Sequence, residues 1–155
     1  MKRIFTLGKI ALLSTLFLGA CDVERTYYFL EGITLHEIPD FAQDANEGGS
    51  QANPDIFVQI VDFDGFIVWS SPYYSNVDIG EFPIHFTMDN VLELGHQDYF
   101  LEVYDFDDLN QGNHDFLGSI EFYGRDVTST YYSQYNNPSI SGNLSVTIDM
   151  LVERE

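Results

Sequence analysis

Leu144-Ser145-Val146-Thr147-Ile148-Asp149-Met150 sets an apolar side chain at every second position and a polar one between. Successive side chains of a strand point to opposite faces, so this pattern belongs to a strand with one face on a core and one in water. Three other stretches repeat it. Ile84, Phe86 and Met88 alternate with His85 and Thr87. Leu101 and Val103 face opposite to Phe100, Glu102 and Tyr104, and Ile56, Val58 and Ile60 form a fourth row. The fourth runs through Asp64-Gly65 into Phe66–Trp69, which reads as a hairpin closed by a tight turn.

Strands are expected near 27–36, 56–62, 66–71, 83–88, 99–105, 117–122 and 144–152, with an eighth, weaker one within 128–141. Helix is disfavoured in the same region: after residue 21 the only alanines are Ala42, Ala45 and Ala52, and there is no lysine. Aromatic and β-branched residues take their place and favour strands. The length, 155 residues, holds one domain with a core and is too short for two. The fold class is therefore all-β, an antiparallel sandwich of seven to eight strands. Phe41–Pro54, with Gly48, Gly49 and Ser50, reads as a long loop. Tyr123–Asn143 is rich in Tyr, Asn and Ser and has little apolar periodicity. Trp69 and the Phe residues of the strands are assigned to the core. Phe41 and Leu109 are candidates for apolar loop tips.

Charge excludes two classes of partner. The chain has 6 basic and 25 acidic residues, a net charge of −19. Lys2, Arg3 and Lys9 lie in the first ten residues, so removing the first twenty leaves three Arg against all 25 acids, a charge of −22. Such a surface repels nucleic-acid phosphates and anionic headgroups. Disorder is excluded by a hydrophobic fraction of 45% and 15% aromatics.

The N-terminus is a targeting segment. A basic Met1–Lys9 is followed by eleven nearly unbroken apolar residues, Ile10–Ala20. At about 1.5 Å each these reach only about half of a bilayer core, as a signal-peptide core does. Leu18-Gly19-Ala20-Cys21 resembles the bacterial lipobox: an aliphatic residue, two small ones, then Cys. The resemblance implies a signal peptide over 1–20, a fatty-acylated (palmitate-type) Cys21 as first residue of the mature chain, a short tether over 21–26 and the sandwich over 27–155. It places the protein in a bacterial cell envelope, held to a membrane whose identity stays open. Cys21 is the only cysteine, so no intramolecular disulfide is possible.

Chemistry concentrates in Val103-Tyr104-Asp105-Phe106-Asp107-Asp108-Leu109-Asn110-Gln111-Gly112-Asn113-His114-Asp115-Phe116-Leu117-Gly118. A strand delivers several carboxylates into a polar loop and a second strand leaves it. Carboxylates this close repel unless neutralised, and a hard cation with six to eight oxygen ligands does so, calcium being the usual one. The stretch resembles the calcium loop of the C2-domain family, with Asp105, Asp107 and Asp115 as the loop aspartates and Phe116-Leu117-Gly118 as the exit. Asp55-Ile56-Phe57-Val58-Gln59-Ile60 resembles the strand that follows the family's first calcium loop. The resemblance covers roughly residues 27–152 and implies a C2-like sandwich, calcium as cofactor, Asp55 as a further ligand and one earlier ligand, Asp44 or Asp40, with Asp44 preferred. The family's basic groove has no counterpart in a mature chain without Lys. The alternative for the same aspartates is a pair of solvated loops, since Asp and Asn favour turns through local hydrogen bonds.

Other motifs fail. An EF-hand beginning at Asp105 would need Gly and Glu where Asn110 and Phe116 stand. His36, His85, His96 and His114 lack zinc spacing, and there is no Cys partner; His85 and His114 read as solvated side chains. No nucleophile elbow, phosphate loop or dinucleotide fingerprint occurs, so the chain is not expected to be an enzyme. Two functions remain: a calcium-binding module that recruits a protein or anionic glycan at the envelope, with no nucleic-acid partner, or a calcium-independent structural subunit of an envelope assembly. Replacing Cys21 by Ser is expected to leave an unprocessed precursor that takes up no fatty-acid label; equal labelling of the two proteins contradicts the lipobox reading.

Overall fold

The computed structural model describes residues 25–41, 53–106, 114–136 and 140–155. Among them run β1 (Thr26–Glu37), β2 (Asp40–Phe41), β3 (Ile56–Asp62), β4 (Ile67–Ser70), β5 (Ile84–Glu93), β6 (Asp98–Asp105), β7 (Asp115–Tyr123), β8 (Ser129–Asn136) and β9 (Ile140–Arg154). All pairings are antiparallel. In one sheet β9 is flanked by β1, by β2 beyond the end of β1, and by β8, and β5 lies outside β1. The other sheet has the order β4-β3-β6-β7. The chain is thus an all-β antiparallel two-sheet sandwich, as the period-two rows require.

The alternating rows become the core. Ile56, Val58 and Ile60 of β3, Leu101 and Val103 of β6, and Leu144, Val146 and Ile148 of β9 are essentially inaccessible. The Asp64-Gly65 hairpin forms as expected: Gly65 takes φ +86, and the Asp62 carboxylate accepts from the Asp64 and Phe66 amides at 3.0 and 2.8 Å. That side chain holds the turn, which favours Asp before a Gly-containing loop.

The eighth strand expected within 128–141 forms as β8, whose Tyr131 and Tyr135 pack against the core while Thr130, Tyr132 and Gln134 face water. Two expectations change. Phe41, expected to open a long loop, pairs with Ile140 instead. The assignment of strand Phe residues to the core holds for Phe86 and Phe122 but not for Phe66 and Phe116, which are 69% and 41% exposed. Trp69 is partly buried against the core. Cys21, Asp44, Asp107 and Leu109 lie outside the described residues.

Two bulges keep the inward rows in phase. In β1 the register slips between Leu30 and Gly32, and in β7 Tyr104 pairs with Phe116 while Val103 pairs with Gly118. One extra residue turns the following side chains over, so Leu30 shares the core with Ile33 and Leu35, and Leu117 with Ile120 and Phe122. Gly118 has φ +149, and a Cβ there would sit 2.8 Å from the Tyr135 oxygen. That hydroxyl accepts from the Ser119 amide at 2.6 Å and donates to the Ser119 carbonyl at 2.9 Å, tying β8 of one sheet to β7 of the other.

The sandwich has two distinct ends. At the near end β1 starts, with the Leu94 amide on the Tyr28 carbonyl and the Gly124 amide on the Gln97 carbonyl. β3 ends there too, where Asp62 pairs with Tyr99 near the start of β6. At the far end β3 and β7 start and β1 and β6 finish. Tyr135→Phe is expected to cost about 1–3 kcal/mol in urea unfolding by stranding two backbone groups, and Gly118→Ala more, because overlap and backbone strain add to that loss. Wild-type stability in both variants would contradict the inter-sheet tie.

Candidate calcium-binding end

The far end of the β4-β3-β6-β7 sheet brings three of the expected site residues together. Asp105 is the last residue of β6, paired with Ile56 on one side and with Asp115, the first of β7, on the other. Asp55 directly precedes β3. Its amide donates to the Asp105 carboxylate at 2.7 Å, and its carbonyl accepts from the Phe106 amide at 2.6 Å. Asp40, the alternative early ligand, pairs with Ser141 in the opposite sheet, also at the far end.

These carboxylates already have structural work. Asp55 accepts the Asn76 amide at 2.7 Å, and Ile56 and Tyr74 exchange backbone hydrogen bonds at 2.8 Å. The two carboxylates thus hold the 74–77 segment and the end of β6 against the start of β3. Asn76 adopts φ +53, a left-handed conformation that Asn accepts better than most residues. Among the described residues no group of three His, Cys, Asp or Glu side chains is placed to hold a metal ion. Calcium takes six to eight oxygens. The backbones of Asp55, Asp105 and Asp115 are neighbours, but their side chains do not by themselves form such a shell.

The outward face at this end carries an aromatic surface that the period-two pattern does not reveal. Phe57, Tyr104 and Phe116 form a row across β3, β6 and β7: Phe57 stacks on Tyr104 at 5.3 Å, and Tyr104 meets Phe116 edge-on at 5.5 Å. Beyond the row Phe106 lies between Tyr73, parallel at 4.5 Å, and His114, at 4.8 Å. His114 also meets Phe57 edge-on at 5.1 Å. The expected solvated imidazole is therefore part of an aromatic stack, although its residue is exposed. This cover leaves Phe57 only 8% exposed on the outward face of its sheet. The signal was present in the spacing of Tyr104, Phe106 and Phe116, but a Phe on a strand is equally suited to a core.

Polar contacts flank the row. The Tyr104 hydroxyl donates to Glu102 at 2.9 Å, and burial, then this hydrogen bond, raises its pKa. On the opposite sheet His85 Nδ1 lies 3.0 Å from the Thr34 hydroxyl and His36 Nε2 2.8 Å from that of Thr147, which accounts for both imidazoles without a metal. Replacing Phe106 by Leu is expected to cost about 1–2 kcal/mol, the worth of one to two aromatic pairs, read by urea unfolding; an unchanged midpoint would show that the stack carries no stability.

No protein-family model matches the chain, and no curated protein matches it. Among solved structures it is similar to a C2 domain, with 13% identity and a TM-score of 0.49 over 81% of this chain and 98% of that one. It is also similar to a C2 domain of a plant extended synaptotagmin 1, with 12% identity and a TM-score of 0.48 over 81% and 92%. A third likeness is to the human GIVD cytosolic phospholipase A2, in complex with methyl gamma-linolenyl fluorophosphonate inhibitor and terbium chloride. Identity is 12% and the TM-score 0.47, over 82% of this chain but only 18% of that one. Likeness at this distance carries no argument about ligand, partner or activity.

Proposed function

We propose that the chain is a lipid-anchored protein of the bacterial cell envelope whose far end binds calcium and serves in binding or recruitment, not in catalysis. The observation that supports it best is the pairing of Asp105 with Asp115 at adjoining strand ends, with the Asp55 amide donating to the Asp105 carboxylate beside them. Asp107 and Asp44 are assigned to complete the shell. Bound calcium would neutralise the carboxylates and offer an open coordination position to an anionic partner, a protein carboxylate or an acidic glycan. Lipidation of Cys21 supplies the membrane attachment.

A calcium-independent structural subunit is the second reading. It is favoured by the backbone hydrogen bonds that Asp55 and Asp105 already accept, since these give the carboxylates a purpose without an ion.

Thermal melting of residues 22–155 separates the two. Extracellular calcium modules bind at about 10⁻⁴ to 10⁻³ M. At ten times the dissociation constant, linkage stabilises by roughly 1.4 kcal/mol, a rise of about 4–6 °C for a domain of this size. Magnesium is expected to do less, because it requires a tighter octahedron and gives up water reluctantly. Asp105→Asn together with Asp107→Asn should abolish the calcium shift. A wild-type melt unmoved by millimolar calcium would leave the structural-subunit reading.

A further inference from the structure

The β3–β4 hairpin exposes a group of large apolar side chains that the described residues leave uncovered. Phe63 is 71% exposed, Phe66 69% and Ile67 61%. They sit around the Asp64-Gly65 turn at the near end. Val127, 64% exposed, lies in the β7–β8 connection at that end, and Val91 is close to the end of β5. Scattered apolar residues are ordinary on a surface, but several around one protruding turn mark a contact.

β1 begins at this same end. Four residues lie between Cys21 and Thr26, and the five Cα–Cα steps they make span at most about 18 Å. The three arginines that follow the signal segment are also here. Arg25 exchanges backbone hydrogen bonds with Glu155, Arg154 pairs with Thr26, and Arg125 lies over the Tyr28 ring at 5.5 Å. Asp55, Asp105 and Asp115 stand at the other end of β3 and β6, roughly 20 Å away at about 3.3 Å per residue.

We propose that the near end is a membrane-docking surface: Phe63, Phe66 and Ile67 insert into the headgroup region of the bilayer that holds Cys21, so the acidic far end and its aromatic row face away from that membrane. The proposal rests on the lipidation of Cys21. The occupant follows from the tether, which joins the domain at the same end as the hairpin and is too short to carry that end far from the surface. Carboxylates at the near end, Asp62, Asp64 and Asp98 among them, oppose spontaneous binding by the free domain. A short tether makes the contact intramolecular at an effective concentration on the order of mM, where a weak apolar contact suffices.

The test couples the mature chain, residues 21–155, through its single thiol at Cys21 to a maleimide-bearing phosphatidylethanolamine. The vesicles contain phosphatidylethanolamine and phosphatidylglycerol. The buried core lies between Leu30 and Met150, so the mature chain retains all of it. In a Trp69→Phe background, which removes the only tryptophan, one chain carries Phe66→Trp and another Tyr73→Trp at the far end, each checked by thermal melting. Acyl chains brominated near the headgroup are expected to quench the Phe66→Trp protein and shift its emission to the blue, leaving the Tyr73→Trp protein unaffected. A water-like, unquenched emission from the Phe66→Trp chain overturns the proposal and leaves the hairpin to a protein partner; equal quenching of both chains overturns it as well. Chemical coupling makes the result independent of natural lipidation, whose own failure would show as absent fatty-acid label.

Discussion

The inward faces of the two sheets must present apolar side chains without interruption, and strict alternation along β1 and β7 cannot achieve this alone. Leu30 and Ile33 are three positions apart, as are Leu117 and Ile120, so a regular strand would turn one of each pair to solvent. The bulges beside Gly32 and Gly118 restore the phase. The second also brings the β7 backbone close enough to β8 for the Tyr135 hydroxyl to hold both polar groups of Ser119. Register, sheet-to-sheet spacing and the placement of the start of β7, hence of Asp115, all follow from that local irregularity.

The sandwich is polar along its strands in a second sense. Its far end gathers carboxylates on the rim and stacked rings on the outer face; its near end gathers the start of β1, the arginines and the bare hairpin. The acidic rim costs electrostatic repulsion, which backbone amides donating to Asp55 and Asp105 partly offset. A cation would offset more of it, whereas hydrogen-bonded carboxylates alone already give the end a defined shape. The proposed calcium site and the structural reading therefore differ in what neutralises the charge, with the same strands beneath both.

Strands β3, β5, β6 and β9 were legible because each buries one face, and burial writes a period of two into the sequence. The hairpin was legible because Asp64-Gly65 carries its own turn chemistry. β8 was harder to read: its inward residues are tyrosines, whose rings pack while their hydroxyls seek partners, as Tyr131 does with Asp126 at 2.9 Å. Burial first, and that bond second, push the Tyr131 pKa up to about 12. Hydropathy scores such residues as neither apolar nor polar, so their alternation was muted.

The order of residues along the chain determined the class of fold, the acidic character and the Asp64-Gly65 hairpin, because each of these depends on local pattern or composition. Only tertiary structure decided which aromatic rings meet outside the core, where the phase of β1 and β7 shifts, and that the start of β1 and the bare hairpin share an end. Those depend on register between strands far apart in sequence, and register is set by packing across the sheets, which no local pattern records.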